Sequence, residues 1–234
     1  MIHPGSSGSE VYITLALKLS NYSCYGINNY NLYSKKKIDD IGQLATFYLT
    51  EINKVRQLTK QTKKPYVLLG WSLGAQIATE IANILEKKGY KDIRIIAIDG
   101  PIPDDKIAYY LSILKINEKK LYNNFSEQEY TQEYANKVIT NFKYDANLAK
   151  QRKVNKLYHT KILVFKAMKE DIRVFVDNYD LLNSYELKLV YNNTDKITNL
   201  SNITLVNMDT VNHSNIIAKD ILLANHISIW HNPD

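Results

Sequence analysis

A continuous apolar run, Tyr66-Val67-Leu68-Leu69, enters Gly70-Trp71-Ser72-Leu73-Gly74, and apolar residues then return at helical spacing at Ile77, Ala78, Ile81, Ala82 and Leu85. Strand, sharp turn and helix in that order form the first half of a crossover unit. Ile93-Arg94-Ile95-Ile96-Ala97-Ile98 supplies a second strand, apolar enough to be buried on both faces. A repeated strand–helix–strand unit predicts an α/β fold, a mostly parallel sheet with helices on its faces. Residues that act on a ligand collect at the carboxyl ends of such strands, which is where Ser72 and Asp99 fall.

The remaining elements follow from periodicity and punctuation. Residues 11–19, and a second segment from Ile38 or Asp40 to Thr59, carry apolar side chains at helical intervals, residues 23–26 read as a short strand, and 28–34 as a polar, tyrosine-rich loop. Gly89 is placed to cap the helix after the elbow. From Pro101 to about Lys156 amphipathic stretches at 107–121 and 129–142 predict two or three helices inserted between strands, with no convincing strand among them. An insertion over about 104–156 forms a lid if it lies across the carboxyl edge, and an ordinary layer of helices if it covers the sheet. Strands return at 161–166 and 203–207, and a last helix runs over 215–229. With no internal repeat and no low-complexity linker, one domain over 1–234 is the expectation.

Composition narrows the function classes. Cys24 is the single cysteine, so neither an intramolecular disulfide nor a cysteine metal site can be assembled, and a reducing, cytosolic setting is expected. The opening residues 1–8 are too polar for a signal peptide and no apolar run is long enough to span a bilayer, which argues against a membrane. The net charge of +6 leaves nucleic acid open in principle. However, Lys35-Lys36-Lys37 is followed at once by Asp39-Asp40, and no zinc-finger spacing or RNA-binding aromatic motif accompanies it, so no nucleic-acid partner is expected.

The chemistry sits at the elbow. Gly70-Trp71-Ser72-Leu73-Gly74 has the G-x-S-x-G form in which a strained turn exposes the serine hydroxyl ahead of a helix N-terminus. Serine needs a base to act as a nucleophile. Of His3, His159, His213, His226 and His231, His213 alone follows a strand's carboxyl end in a short loop before the last helix, and it is the candidate. A carboxylate must fix its tautomer, and both Asp99 and the pair Glu170 and Asp171 end strands on that edge. The backbone N–H of Leu73 is one candidate donor to an oxyanion, and the side-chain-poor segment 5–8 offers a second. The serine, acid, histidine order is that of α/β-hydrolases.

These residues together resemble the thioesterase domains that release products from nonribosomal peptide and polyketide assembly lines. His3-Pro4-Gly5-Ser6-Ser7-Gly8 is similar to the family's His-Pro-Ala-Gly-Gly opening, and Pro65 to Gly74 to its strand-and-elbow signature, with Ala78, Glu80 and Ala82 continuing it. The resemblance implies an α/β-hydrolase fold with a helical lid, Asp99 as the acid, His213 as the base, and oxyanion donors at Leu73 and Gly5. It further implies an acyl, peptidyl or polyketide group carried as a thioester on the phosphopantetheine of an acyl or peptidyl carrier protein, no cofactor of the chain's own, and an acyl-Ser72 intermediate resolved by water or by an internal nucleophile. The chain departs from the pattern at Ser7 and Ala75, where glycine is usual, at Val211-Asn212 before the histidine, and in lacking the family's leading strands. An edge of the sheet open to another chain is then expected. A carboxylester hydrolase acting on free small-molecule esters uses the same residues, and an inert binding module of the same fold is the remaining alternative.

Overall fold

The computed structural model describes residues 1–127, 131–173 and 176–231. Four parallel strands form its sheet, β1 (Tyr66–Trp71), β2 (Ile93–Ile98), β4 (Lys161–Ala167) and β6 (Ile203–Met208), in the spatial order β1-β2-β4-β6. Each strand pairs with the next in the chain's own direction of travel, so right-handed crossovers place the connecting helices on one face. That face carries α3 (Ile41–Leu58) and α4 (Leu73–Lys87), which share a core with Leu68, Ile95 and Val164, and α7 (Gln132–Ala149) joins this core through Leu148 and packs against α4. The opposite face is covered from the two ends of the chain by α1 (Ile13–Lys18) and α9 (Asp220–His231), packed on Leu69, Ile96 and Phe165. Adjacent residues therefore serve opposite cores, which is why these strands read as unbroken apolar runs. Ile77, Ile81 and Ile95 are fully buried, and truncating any one to alanine should cost about 2–5 kcal/mol.

Local chemistry sets the helix limits. Asp40 caps α3 by accepting from the Gln43 N–H, and Gly89, at a φ of 85° that favours glycine, follows the end of α4. Residues 23–26 are not a strand, because the neighbouring chain at Ile2 meets only Ile27, in an isolated bridge. Ile2 also bridges Gly70 and donates to the Leu69 carbonyl at 2.7 Å, so part of the outer edge of β1 is already occupied. The stretch at 28–34 holds a single helical turn, α2 (Tyr30–Tyr33), capped by Asn29.

Between β2 and β4 lie α5 (Asp105–Ile113), β3 (Lys115–Ile116), α6 (Glu118–Glu127) and α7. The amphipathic stretch 107–121 is thus two helices broken by a two-residue strand, because Lys115 and Ile116 pair antiparallel with β5 (Val176–Asp177). The expected start of the next helix at Glu129 lies outside the described residues. After β5 comes α8 (Tyr179–Glu186), which packs with α5 in a small apolar cluster of its own. The helical segment expected at 215–229 is divided into a short 3-10 turn at Ile216–Ala218 and α9. Among the described residues no helix is long and apolar enough to cross a membrane.

Candidate active site

Ser72 joins β1 to α4 at φ 55° and ψ −124°, a left-handed conformation that costs a non-glycine residue energy and is held here by its surroundings. A side chain at Gly70 would meet the Gly74 backbone at 2.1 Å, and one at Gly74 would meet the Ile2 carbonyl oxygen at 2.4 Å. Both glycines are therefore demanded by close backbone approach. The turn itself is tied to the sheet, since the Ser72 N–H donates to the Ile98 carbonyl at 3.0 Å.

The register brings the strand ends level: Trp71 lies opposite Ile98, and Ile98 opposite Phe165. Asp99, immediately beyond, is buried with φ 41°, and its N–H donates to the Phe165 carbonyl at 2.7 Å. Asp99 Oδ2 lies 2.8 Å from His213 Nδ1, while Oδ1 accepts from the Ala167 N–H at 3.1 Å and from Asn192 Nδ2 at 3.2 Å. Burial pushes this carboxyl up, but the hydrogen bond and charge of His213, aided by Ala167 and Asn192, more than offset it, and its pKa lies below the ordinary aspartate value. An ionised Asp99 keeps a proton on Nδ1 and leaves Nε2 as the acceptor. His213 is also buried and lies beside the Trp71 ring, their centroids 5.6 Å apart.

Glu170 and Asp171 stand elsewhere. Glu170 is exposed; Asp171 is buried, but its Oδ2 accepts from Arg173 Nε at 3.2 Å, Tyr179 Oη at 3.2 Å and Ser214 Oγ at 2.7 Å. Of the other histidines, His3 is buried in a structural role: its Nδ1 donates to the Pro4 carbonyl at 2.6 Å and Nε2 accepts from Tyr48 Oη at 2.7 Å. Burial holds its imidazole down, to about 4, so it is neutral near pH 7. His226 lies in α9 against Phe165, and His159 precedes β4 at the amino end of the sheet.

Ser72, Leu73, Gly5 and His213 line one cavity of about 300 Å³. Its walls are mainly apolar side chains of the segments between and after the strands, among them Leu111, Phe142, Val176 and Leu182. Leu73 opens α4, where first-turn N–H groups have no intrahelical acceptor. Gly5 packs against it, a notional Cβ on Gly5 lying 4.0 Å from that of Leu73. A larger cleft of about 530 Å³ runs along the outer edge of β1 near Tyr22 and Val67, away from these groups. Chemistry, not volume, therefore selects the candidate site. Among the described residues no group of three or more His, Cys, Asp or Glu side chains could hold a metal ion.

Several residues around the cavity carried no sequence signal. Lys166 on β4 is buried, its Nζ donating to Asn192 Oδ1 at 3.1 Å and to the Glu186 carbonyl at 3.0 Å, so that Lys166, Asn192, Asp99 and His213 form one hydrogen-bonded line. Glu186 lines the cavity, and burial together with the charge of Asp99 pushes its carboxyl up to about 8. Asp145, on α7, lines it as well.

A family model described as "Thioesterase domain" matches residues 1–220. Microperfuranone synthase of Emericella nidulans is 30% identical over 125 residues, which cover 53% of this chain and 12% of that protein, so the chain spans about one eighth of the relative's length. Among solved structures, a four-domain nonribosomal peptide synthetase bound to AMP and glycine superposes with a TM-score of 0.68 at 17% identity, covering 100% of this chain and 19% of that one. The thioesterase domain of NocB, in covalent complex with a fluorophosphonate nocardicin G analogue, gives 0.65 at 16% identity over 98% of this chain and 91% of that domain. At these identities the structural likeness establishes the shared α/β-hydrolase-like fold.

Proposed function

The chain belongs to the thioesterase domain family, and from that premise we propose that it releases an acyl, peptidyl or polyketide chain from the phosphopantetheine arm of a carrier protein through an acyl-Ser72 intermediate. The observation that carries the reading is the 2.8 Å contact between His213 and Asp99 at a cavity whose floor is the strained Ser72. Ser72 Oγ attacks the thioester carbonyl while His213 Nε2 takes its proton, and Asp99 stabilises the imidazolium. The N–H groups of Leu73 and Gly5 receive the oxyanion. Collapse breaks the carbon–sulfur bond, and the departing thiol leaves with the proton from His213. Water, or an amine or hydroxyl of the acyl chain itself, then attacks the acyl-serine, giving a free acid or a ring and restoring Ser72.

Residues 1–234 act in this reading as one domain, with the insertion at about 104–156 as a lid whose apolar side chains receive the acyl group. The chain needs no cofactor of its own, its partners are the carrier protein and the small acyl group, and with its single, half-buried Cys24 it works in the reducing cytoplasm.

The test is intact-mass trapping. The parent, mixed with acyl-loaded carrier protein, should gain the acyl mass, and Ser72→Ala should gain none while keeping its circular-dichroism spectrum. Faster turnover of simple oxygen esters than of carrier thioesters would move the assignment to a carboxylester hydrolase. A parent that takes up neither an acyl group nor a fluorophosphonate would be an inert binding module.

A further inference from the structure

Resting on the acyl-Ser72 reading, we propose that Asp145 is a positioning residue for the oxyanion site, a strut from insertion helix α7 that holds the Gly5 segment against Leu73. The opening segment is anchored on both sides of Gly5. Upstream, Tyr12 Oη donates to the Ile2 carbonyl at 2.8 Å and accepts from the Trp71 N–H at 2.8 Å, which ties the segment to the elbow, and His3 is locked to Tyr48. Downstream, the Ser9 N–H and hydroxyl donate to Asn28 Oδ1 at 2.9 and 2.7 Å.

The middle is held from above. The Ser6 N–H, next in the chain after Gly5, donates to Asp145 Oδ2 at 2.7 Å, at the short end of the ordinary range and between partners 139 residues apart. The same oxygen accepts from Asn141 Nδ2 at 2.8 Å and from Asn29 Nδ2 at 3.3 Å, so its own position is braced by the preceding turn of α7 and by the loop before α2. A notional Cβ on Gly5 would lie 3.8 Å from Asp145 Cβ and 4.0 Å from Leu73 Cβ, so Gly5 sits between the strut and the second donor. Ser6 has a φ of 64°, a conformation a serine adopts at a cost and one that a fixed N–H partner helps to hold.

The carboxylate is otherwise an expensive choice. Asp145 is only 5% exposed, and its Oδ1 is buried with no hydrogen-bond partner among the described residues. Burial pushes its carboxyl up to about 7, against the three donors and the charge of Lys37. The group is then part neutral and part ionised near pH 7, and either form accepts from the Ser6 N–H.

A donor held in place lowers the barrier to reaction more than it aids binding of the ground state. The proposal therefore predicts a split, readable with an alkyl fluorophosphonate that phosphonylates Ser72. Asp145→Leu should lower the maximal phosphonylation rate by about 10- to 100-fold, somewhat less than outright loss of one oxyanion donor. The concentration giving half the maximal rate should move by less than about threefold, as for an interaction made mainly in the transition state. Asp145→Asn, which can still accept from Ser6, should recover most of the rate. Asp145→Ala is measured beside them, so that misfolding of the leucine variant does not decide the matter. Unchanged maximal rates in whichever of the two folds, or a melting-temperature loss with no rate loss, would overturn the positioning role. A parent that is not phosphonylated at all would instead overturn the acyl-Ser72 reading on which it rests.

Discussion

The ends of β2 and β4 present two buried aspartates to consecutive residues of one loop: Asp99 is bound to His213, and Asp171 to Ser214. From strand order and burial they are near equivalents. Their other partners separate them. Asp99 accepts directly from neutral donors besides the histidine, the Ala167 N–H and Asn192, and the Lys166 ammonium is joined to it only through Asn192, so the imidazole is the one cationic partner it can hydrogen-bond. Asp171 already holds the Arg173 guanidinium, which lies over the Tyr179 ring with its carbon 4.3 Å from the centroid. A carboxylate with a permanent cation has little to gain from a transient one, and it anchors the loop, whereas Asp99 is free to respond to a proton arriving on His213. The comparison shows that position at the carboxyl edge nominates an acid, while the remaining partners decide its use.

The comparison is tested most severely at the loop itself. His213→Ala should reduce turnover of a carrier-bound thioester by roughly 10⁴- to 10⁶-fold, as loss of the base does in serine hydrolases. Ser214→Ala should stay within about threefold in the same steady-state assay, since Ser214 bonds the Asp171 carboxylate and not the imidazole. A comparable loss in both would mean that the loop acts only as a unit.

Next come the acids. Asp99→Asn should slow pre-steady-state acylation by about 10²- to 10⁴-fold, because the wrong imidazole tautomer is populated. A Glu170→Gln, Asp171→Asn double variant should stay within about tenfold of the parent, since Asp171 touches the loop through Ser214 and not through the imidazole. The reverse order would transfer the acid to β4.

The same pair should differ in the opposite sense in stability. Asp171→Asn leaves Arg173, whose side chain is 28% exposed, without its carboxylate, and should cost about 1–3 kcal/mol in urea unfolding. Asp99→Asn, which keeps its acceptor for Ala167, should cost less than that. An equal or larger loss at Asp99 would show that it too is chiefly structural.

A last effect sharpens the contrast between an acid whose pKa is lowered by its partners and one whose pKa is raised by burial. The Asp145 carboxyl lies at about 7 in the folded protein; in an unfolded chain it would lie at about 3.9. Between those values the folded state holds a proton that the unfolded state has released, so stability falls as pH rises from about 4 to about 7 and is level above. Glu186, at about 8, acts in the same direction. Asp99, lowered, acts the other way and only in acid, its contribution being lost as pH falls through its folded value. Urea midpoints at pH 5 and 8 should show a shallower decline in Asp145→Asn than in the parent, and identical slopes would remove Asp145 as the source.

Most of the framework was written locally. β2 coincides with the run read from its six residues, and β1, β4 and β6 lie within a residue or two of theirs, because strands packed on both faces must be apolar throughout. The elbow was legible for the same kind of reason: two glycines at fixed spacing between a strand and a helix answer a steric demand that few other turns impose. What escaped the sequence lies in pairings between distant residues. The two-residue strands β3 and β5 exist only because 115–116 meets 176–177, and α8 is stabilised by packing on α5 rather than by a strong pattern of its own. Asn192 reaches Asp99 across 93 residues and Ser6 reaches Asp145 across 139, and no spacing rule joins such partners. Periodicity and turn sterics act between neighbours in the chain, so the sequence by itself determined the strands, the strained serine and the candidate acids. Only the folded sheet, by setting 72, 99, 171 and 213 on one edge and laying α7 over residue 5, decided which carboxylate meets the histidine and which buried aspartate meets the Ser6 N–H, because both choices depend on desolvation and on partners that folding alone brings together.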